Sequence, residues 1–235
     1  MQCGLDIFMV EAILNGALFG GVLALLALGL NLIFGVIDVV WICYAELMML
    51  GMYAVYFLHK VYGWPLFLAF TAAIVIVSVA GVVLHQFVIK PVLQSEPINQ
   101  LLVTGGTLFF LQAAATFVFG IDFKNLGVSL PSLSVGEIQL PYSRLFAAAT
   151  ALVAMLGLYL FLKKTYLGTA IRAISQDRAI MPLMGVAPGQ IYLLTSAIGG
   201  GLAGLGACLL VLQYDVHPAI GLSFAPSDMA LSPDG

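Results

Sequence analysis

The sequence predicts an all-α fold, a polytopic transmembrane helical bundle with about six spans and a small extracytoplasmic β-hairpin. Three observations carry that reading. Of 235 residues, 62% are hydrophobic and only 8% charged, and the mean hydropathy is +1.11; a water-soluble domain carries about 25% charged residues. Apolar stretches of about 20 residues, the length a helix needs to cross a bilayer core, recur along the chain. Most of the Lys, Arg and Pro residues fall between those stretches. With so little polar surface, lipid has to solvate much of the molecule.

Residues 12–59 contain only two carboxylates, Asp38 and Glu46, and are long enough for two crossings. Gly35 and Asp38 are turn formers, so the break is expected there. Residues 64–89 make a third span and residues 98–120 a fourth. The stretch 121–142 changes character, with Pro131, Pro141 and short alternating runs at 129–133 and 137–140, the pattern of a hairpin outside the membrane. Residues 143–162 are a fifth span and 191–212 a sixth, separated by the polar segment 163–190. The tail 213–235 is too short and too polar to cross again. The N-terminal apolar run lacks a basic leader and is too long for a cleaved signal, so it reads as a retained span.

Orientation follows from the cations. Lys90, Lys163, Lys164, Arg172 and Arg178 lie in the loops after spans three and five, and Lys60, Lys124 and Arg144 on the other side. The positive-inside rule then places 163–190 in the cytoplasm and both termini outside. A net charge of −3 offers no basic patch for nucleic acid. Three cysteines, two of them (Cys43 and Cys208) in apolar runs, do not make a disulfide framework. No P-loop, zinc-protease or nucleophile-elbow motif occurs, so no catalytic residue, metal or cofactor is expected. His59, His85 and His217 fall near span ends and read as interfacial anchors.

Inside the spans, polar and small residues are the informative ones. Gly16-x-x-x-Gly20 and Gly200-x-x-x-Gly204 allow close helix approach. Asp38, at a turn, reads as the cap of the second helix. Glu46 lies eight residues further on, about two turns into that helix, too deep for a cap. A carboxylate at that depth must pair, line a wet cavity or be protonated, which makes it a candidate for a translocation path. Thr104-Gly105-Gly106-Thr107 opens the fourth span; it can unwind and offer hydroxyls to a solute, or its Thr hydroxyls can bond back to their own helix. Tyr44, Glu46, Thr104, Gly106 and Thr107 are the pathway candidates.

In the segment 163–190, basic residues alternate with Ile171, Ile174, Ile180, Leu183 and Met184 at helical spacing. Such a helix can lie on lipid or insert into a partner's groove, and spacing alone leaves both open.

That segment also carries a resemblance. Tyr166-Leu167-Gly168-Thr169-Ala170-Ile171-Arg172-Ala173, then Gln176-Asp177-Arg178 and Leu183-Met184-Gly185, resemble the cytoplasmic coupling loop of ABC-importer permeases of the branched-chain amino acid type. Ala24-Leu25-Leu26-Ala27-Leu28-Gly29-Leu30 with Ile33-Phe34-Gly35-Val36, Glu46-Leu47-Met48-Met49-Leu50-Gly51, Thr104-x-Gly106 and Leu111-Gln112 are similar to that family in the same order, over about residues 13–224. The resemblance implies a permease domain over 1–224, with coupling candidates Gly168, Arg172, Asp177, Leu183, Met184 and Gly185. It implies as partners a second permease subunit, cytoplasmic ATP-binding subunits, an extracytoplasmic solute-binding protein and membrane lipid, in a bacterial-type inner membrane. The solute implied is a branched-chain or related amino acid; urea and short amides are carried by close relatives. Two departures stand out. Trp41-Ile42-Cys43-Tyr44-Ala45 replaces the family's Asn-Phe-Ala-His-Gly run, and Pro182 falls inside the expected coupling helix. The family continues with further membrane helices, so a C-terminally truncated chain with a divergent tail at 225–235 is expected. A non-functional permease fragment, and a secondary transporter or channel independent of ATPases, are the alternatives.

Overall fold

The computed structural model describes residues 2–120, 122–127, 132–135, 138–176 and 187–216. Its elements are α1 (Gln2–Ile37), α2 (Tyr44–Tyr56), α3 (Leu66–Leu84), the single turn α4 (Lys90–Val92), α5 (Pro97–Phe119), β1 (Ser132–Val135), β2 (Ile138–Pro141), α6 (Tyr142–Lys164), α7 (Tyr166–Gln176) and α8 (Pro188–Leu210). Wide π turns at Phe57–Val61 and His85–Ile89 extend α2 and α3. The two strands pair antiparallel, Val135 opposite Ile138 and Ser132 opposite Pro141.

Glycine decides what sits at the centre. In lipid, apolar side chains gain nothing by leaving solvent for each other, so helices associate where small residues let backbones approach. α8 has such residues on two faces. A Cβ on Gly200 would lie 2.9 Å from the Val77 carbonyl oxygen, and one on Gly204 3.0 Å from the Ile74 Cα, so α3 packs there backbone to backbone. On the other face Gly199 and Gly206 receive Ile33 and Leu26 of α1. Gly51 brings α2 against Ala207 and Gly204. Interhelical hydrogen bonds add to these contacts: Ser78 Oγ donates to the Ala197 carbonyl at 2.8 Å and Tyr44 Oη to that of Gly199 at 3.2 Å. Gly16 and Gly20, the other motif expected to pack, have open space around them.

Among the described residues five helices are long and apolar enough to cross a membrane, within residues 12–37, 66–92, 97–119, 142–164 and 188–210. The remaining expected crossing is built differently. α2 has 13 residues, nine of them buried, and gains length only from the π turn that follows it. The expected break is at Asp38, which takes a left-handed conformation (φ 60°) and closes α1, its N–H bonding the Phe34 carbonyl at 2.8 Å. Asp38 therefore ends the first helix instead of capping the second, which starts after Cys43 with no side-chain cap. The β-branched pair Val39-Val40 disfavours helix in the non-helical stretch between them.

The pairings above run α8 antiparallel to α1 and α3 and parallel to α2. One end of the bundle therefore gathers Lys90 at the start of α4, Lys163 and Lys164 at the end of α6, and Arg172 within α7. At the opposite end a strap crosses from α5 to the end of α8. Lys124 and Val216 exchange backbone hydrogen bonds at 2.9 Å, Asn125 Nδ2 donates to Asp215 Oδ1 at 2.6 Å, and Lys60 Nζ donates to the Asn125 carbonyl at 2.8 Å.

Candidate functional site

The non-helical stretch 38–43 re-enters the bundle before α2 begins. Tyr44 lies level with Gly199, eleven residues beyond the start of α8 at Pro188; at 1.5 Å per residue that is roughly 16 Å in, about half of a 30 Å hydrocarbon core. Irregular backbone at such depth is tolerated only when protein buries it or it lines a cavity. Here Val39, Trp41 and Cys43 are all buried. The second crossing is thus part non-helical chain and part helix, and its helix N-terminus points into the middle of the membrane.

Glu46 sits in the first turn of that helix. It is fully buried, and neither carboxylate oxygen has a hydrogen-bond partner among the described residues. The sequence reading placed it two turns deep; the late start of α2 moves it to the first turn. There the partial positive charge of the unpaired N–H groups stabilises a carboxylate. Trp41 Nε1 and Ser196 Oγ are likewise buried without partners.

Tyr44 is positioned by two glycines. A Cβ on Gly29 would collide with its hydroxyl, and that hydroxyl donates to the Gly199 carbonyl. The ring forms part of a 280 Å³ cavity between α1 and α2, otherwise apolar and lined by Leu23, Leu26, Leu30, Ala45 and Met48. Sequence reasoning selected Tyr44 and Glu46 but not Gly29 or Gly199. Gly29 stood in the sequence within the family-like run at 24–30 and Gly199 within the glycine-rich sixth span, neither tied to Tyr44.

The α5 candidates behave otherwise. The helix is continuous through Thr104–Thr107, which is the back-bonded alternative and not the unwound one. Its cause is visible: Thr104 Oγ1 donates to the Gln100 and Leu101 carbonyls at 2.9 and 3.2 Å, and Thr107 Oγ1 to that of Val103 at 2.8 Å. Gly106 is exposed with open space around it. None of the three lines the Tyr44 cavity, and Glu46 is not part of its lining either.

At the basic end, α7 folds back on its own chain. Thr165 Oγ1 accepts the Gly168 N–H at 3.0 Å, and a Cβ on Gly168 would collide with the Phe161 carbonyl and Leu162. Ala170, Ile171 and Ile174 are buried while Arg172 is exposed. The apolar stripe of this helix therefore faces the bundle and its basic side faces out. Asp177, Leu183, Met184 and Gly185, with Ile180 and Pro182, lie outside the described residues. His85, expected as an interfacial anchor, is instead buried, whereas His59 Nδ1 lies 2.8 Å from the Trp64 carbonyl oxygen near the surface. Among the described residues no cluster of His, Cys, Asp and Glu can hold a metal ion.

Residues 12–227 match the family described as branched-chain amino acid transport system / permease component. The high-affinity branched-chain amino acid transport system permease protein BraD of Pseudomonas aeruginosa is 27% identical over 227 residues, covering 90% of this chain and 74% of that protein. Its counterpart LivH of Escherichia coli K12 is 28% identical over 234 residues, covering 92% and 75%. A probable branched-chain amino acid transport permease protein LivH of Methanocaldococcus jannaschii is 26% identical over 231 residues, covering 90% and 69%. No solved structure matches.

Proposed function

The chain belongs to the branched-chain amino acid transport system permease family, and from that premise we propose that it is a translocation subunit of an ATP-driven amino-acid importer. It is a multi-pass protein of the inner membrane. Its partners on this reading are a second permease subunit, two cytoplasmic ATP-binding subunits and an extracytoplasmic solute-binding protein. The basic end is cytoplasmic, in line with the positive-inside rule.

The observation that carries the reading is the start of α2 at mid-depth with Glu46 buried and unpartnered beside it. A broken helix at the midplane is how membrane carriers present charge-complementary groups to a polar solute. An amino acid is a zwitterion with two opposite charges one carbon apart. Glu46 supplies the partner for its ammonium, the α2 N-terminus favours its carboxylate, and the apolar cavity beside Tyr44 takes a branched aliphatic side chain. Trp41-Ile42-Cys43-Tyr44-Ala45 makes this site more apolar than the family's usual run, which favours an aliphatic solute over urea.

Coupling is assigned to α7 and the residues after it. Gly168 fixes α7 against the end of α6 and Arg172 faces outward; Asp177, Leu183, Met184 and Gly185 are assigned to coupling by the family resemblance alone. Force on α7 then reaches α1, α6 and α8 through Ile171 and Ile174.

The test is uptake of labelled leucine into vesicles carrying the assembled transporter, with and without ATP and binding protein. ATP-dependent accumulation that unlabelled isoleucine inhibits and urea does not is the expected result. Uptake indifferent to ATP would instead indicate a secondary carrier.

A further inference from the structure

We propose that the cavity at the basic end of the bundle, between the end of α3 and the start of α8, binds a phosphate-bearing anion. It measures about 600 Å³, more than twice the Tyr44 cavity at 280 Å³, and lies far from it along the helix axes. His85, Gln86, Lys90, Gln94, Gln190 and Tyr192 supply its polar lining.

Four features point to an anion. The lining holds a lysine, a histidine and three amides, and among the described residues no carboxylate; Glu96, at the start of α5, stands outside it. The first turn of α8 enters the lining through Gly189 and Gln190, with no side-chain cap and no acidic residue to offset its partial positive charge. Backbone N–H groups at a long helix start, beside a lysine, are a ready site for phosphate oxygens. Thirdly, His85 is only 2% exposed, yet its Nδ1 has no hydrogen-bond partner. A buried polar atom left without a partner is costly, so a ligand or bound water completing it is the economical explanation. Lastly, the wall carrying His85 and Gln86, with Lys90 directly after it, is the π turn His85–Ile89, an irregularity that proteins place at functional sites more often than by chance.

The phosphate has two sources. The cavity lies where α3 and α8 leave the apolar zone, the depth of lipid headgroups, and basic pockets between helices on this side of a membrane hold anionic headgroups. Free inorganic phosphate offers the same oxygens.

The experiment uses the protein extracted from membranes with whatever subunits accompany it, exchanged into nanodiscs of phosphatidylcholine or of an equal mixture with phosphatidylglycerol. Native mass spectrometry then counts retained lipid, and thermal unfolding is followed with and without inorganic phosphate. Wild type retains phosphatidylglycerol over phosphatidylcholine, or is stabilised by phosphate, and Lys90→Gln reduces either effect roughly tenfold in affinity, as loss of one charge-assisted bond requires. Lys90→Arg, which keeps the charge, behaves as wild type. Displacement of phosphatidylglycerol by phosphate assigns the site to the free ion, and retention in its presence assigns it to the headgroup. Equal retention of both lipids with no phosphate-dependent shift in wild type overturns the proposal, whether or not Lys90→Gln folds. So does a Lys90→Gln protein indistinguishable from wild type.

Discussion

α8 and α5 are both 23-residue helices that open with Pro in the first turn, and both contain paired glycines. Yet 67% of the apolar window of α8 is buried and only 17% of that of α5. The difference lies in where the small residues fall. Those of α8 repeat on faces that meet α1, α2 and α3, so three helices converge on it. Gly105 and Gly106 of α5 have nothing within 4 Å, and Phe109, Phe110 and Phe117 point away from the bundle. Hydropathy marks both as crossings, but only the position of glycine against a neighbour's backbone separates a central helix from a peripheral one.

The largest expected effect breaks this contrast at its strongest point. Gly200→Leu drives a side chain into the Val77 and Ser78 backbone, an overpacking cost of roughly 3 kcal/mol. Membrane abundance and thermal stability should collapse, as read by fluorescence-detected size exclusion. Gly106→Leu, in open space, should leave both within about 0.5 kcal/mol of wild type. Equal losses in the two variants would mean that the glycines of α8 are not its packing determinant.

Two smaller changes sharpen the comparison at the level of single hydroxyls. Tyr44→Phe removes the bond to the Gly199 carbonyl of α8 and should cost about 1 kcal/mol in detergent unfolding. Thr104→Val removes a hydroxyl that bonds only to its own helix, so its effect should stay below about 0.5 kcal/mol and leave uptake unchanged. A large transport defect in Thr104→Val would show that α5 opens during the cycle.

The legible part of the fold follows the same division. Spans 66–92, 97–119, 142–164 and 188–210 could be read from apolar length, and Gly200-x-x-x-Gly204 from its spacing. What escaped the sequence depends on three-dimensional register. Asp38 looks equally suited to ending one helix or capping the next, and only its left-handed backbone decides. Because that choice moves the start of α2 by six residues, it also moves Glu46 from the helix interior to the first turn. Thr104 and Thr107 were ambiguous for a different reason. Their hydroxyls serve a solute or a carbonyl one turn back equally well, and helix continuity assigns them to the carbonyl. Gly16 and Gly20 show the limit of a motif without a partner: the spacing is right, and among the described residues nothing lies within 4 Å of a Cβ placed there.

On the proposed function, solute is recognised at the mid-depth start of α2, beside α8, and not along α5. Glu46→Gln tests it most directly, because it preserves shape and removes only the charge. Leucine uptake into vesicles should be measured for Glu46→Gln and Thr104→Val at matched abundance of assembled transporter. Uptake by Glu46→Gln should fall by roughly ten- to a hundredfold, the loss of one charge-assisted contact, with abundance and thermal stability at least equal to wild type, since no protein partner is orphaned. Thr104→Val should transport normally. Wild-type uptake by Glu46→Gln at wild-type abundance would contradict the account.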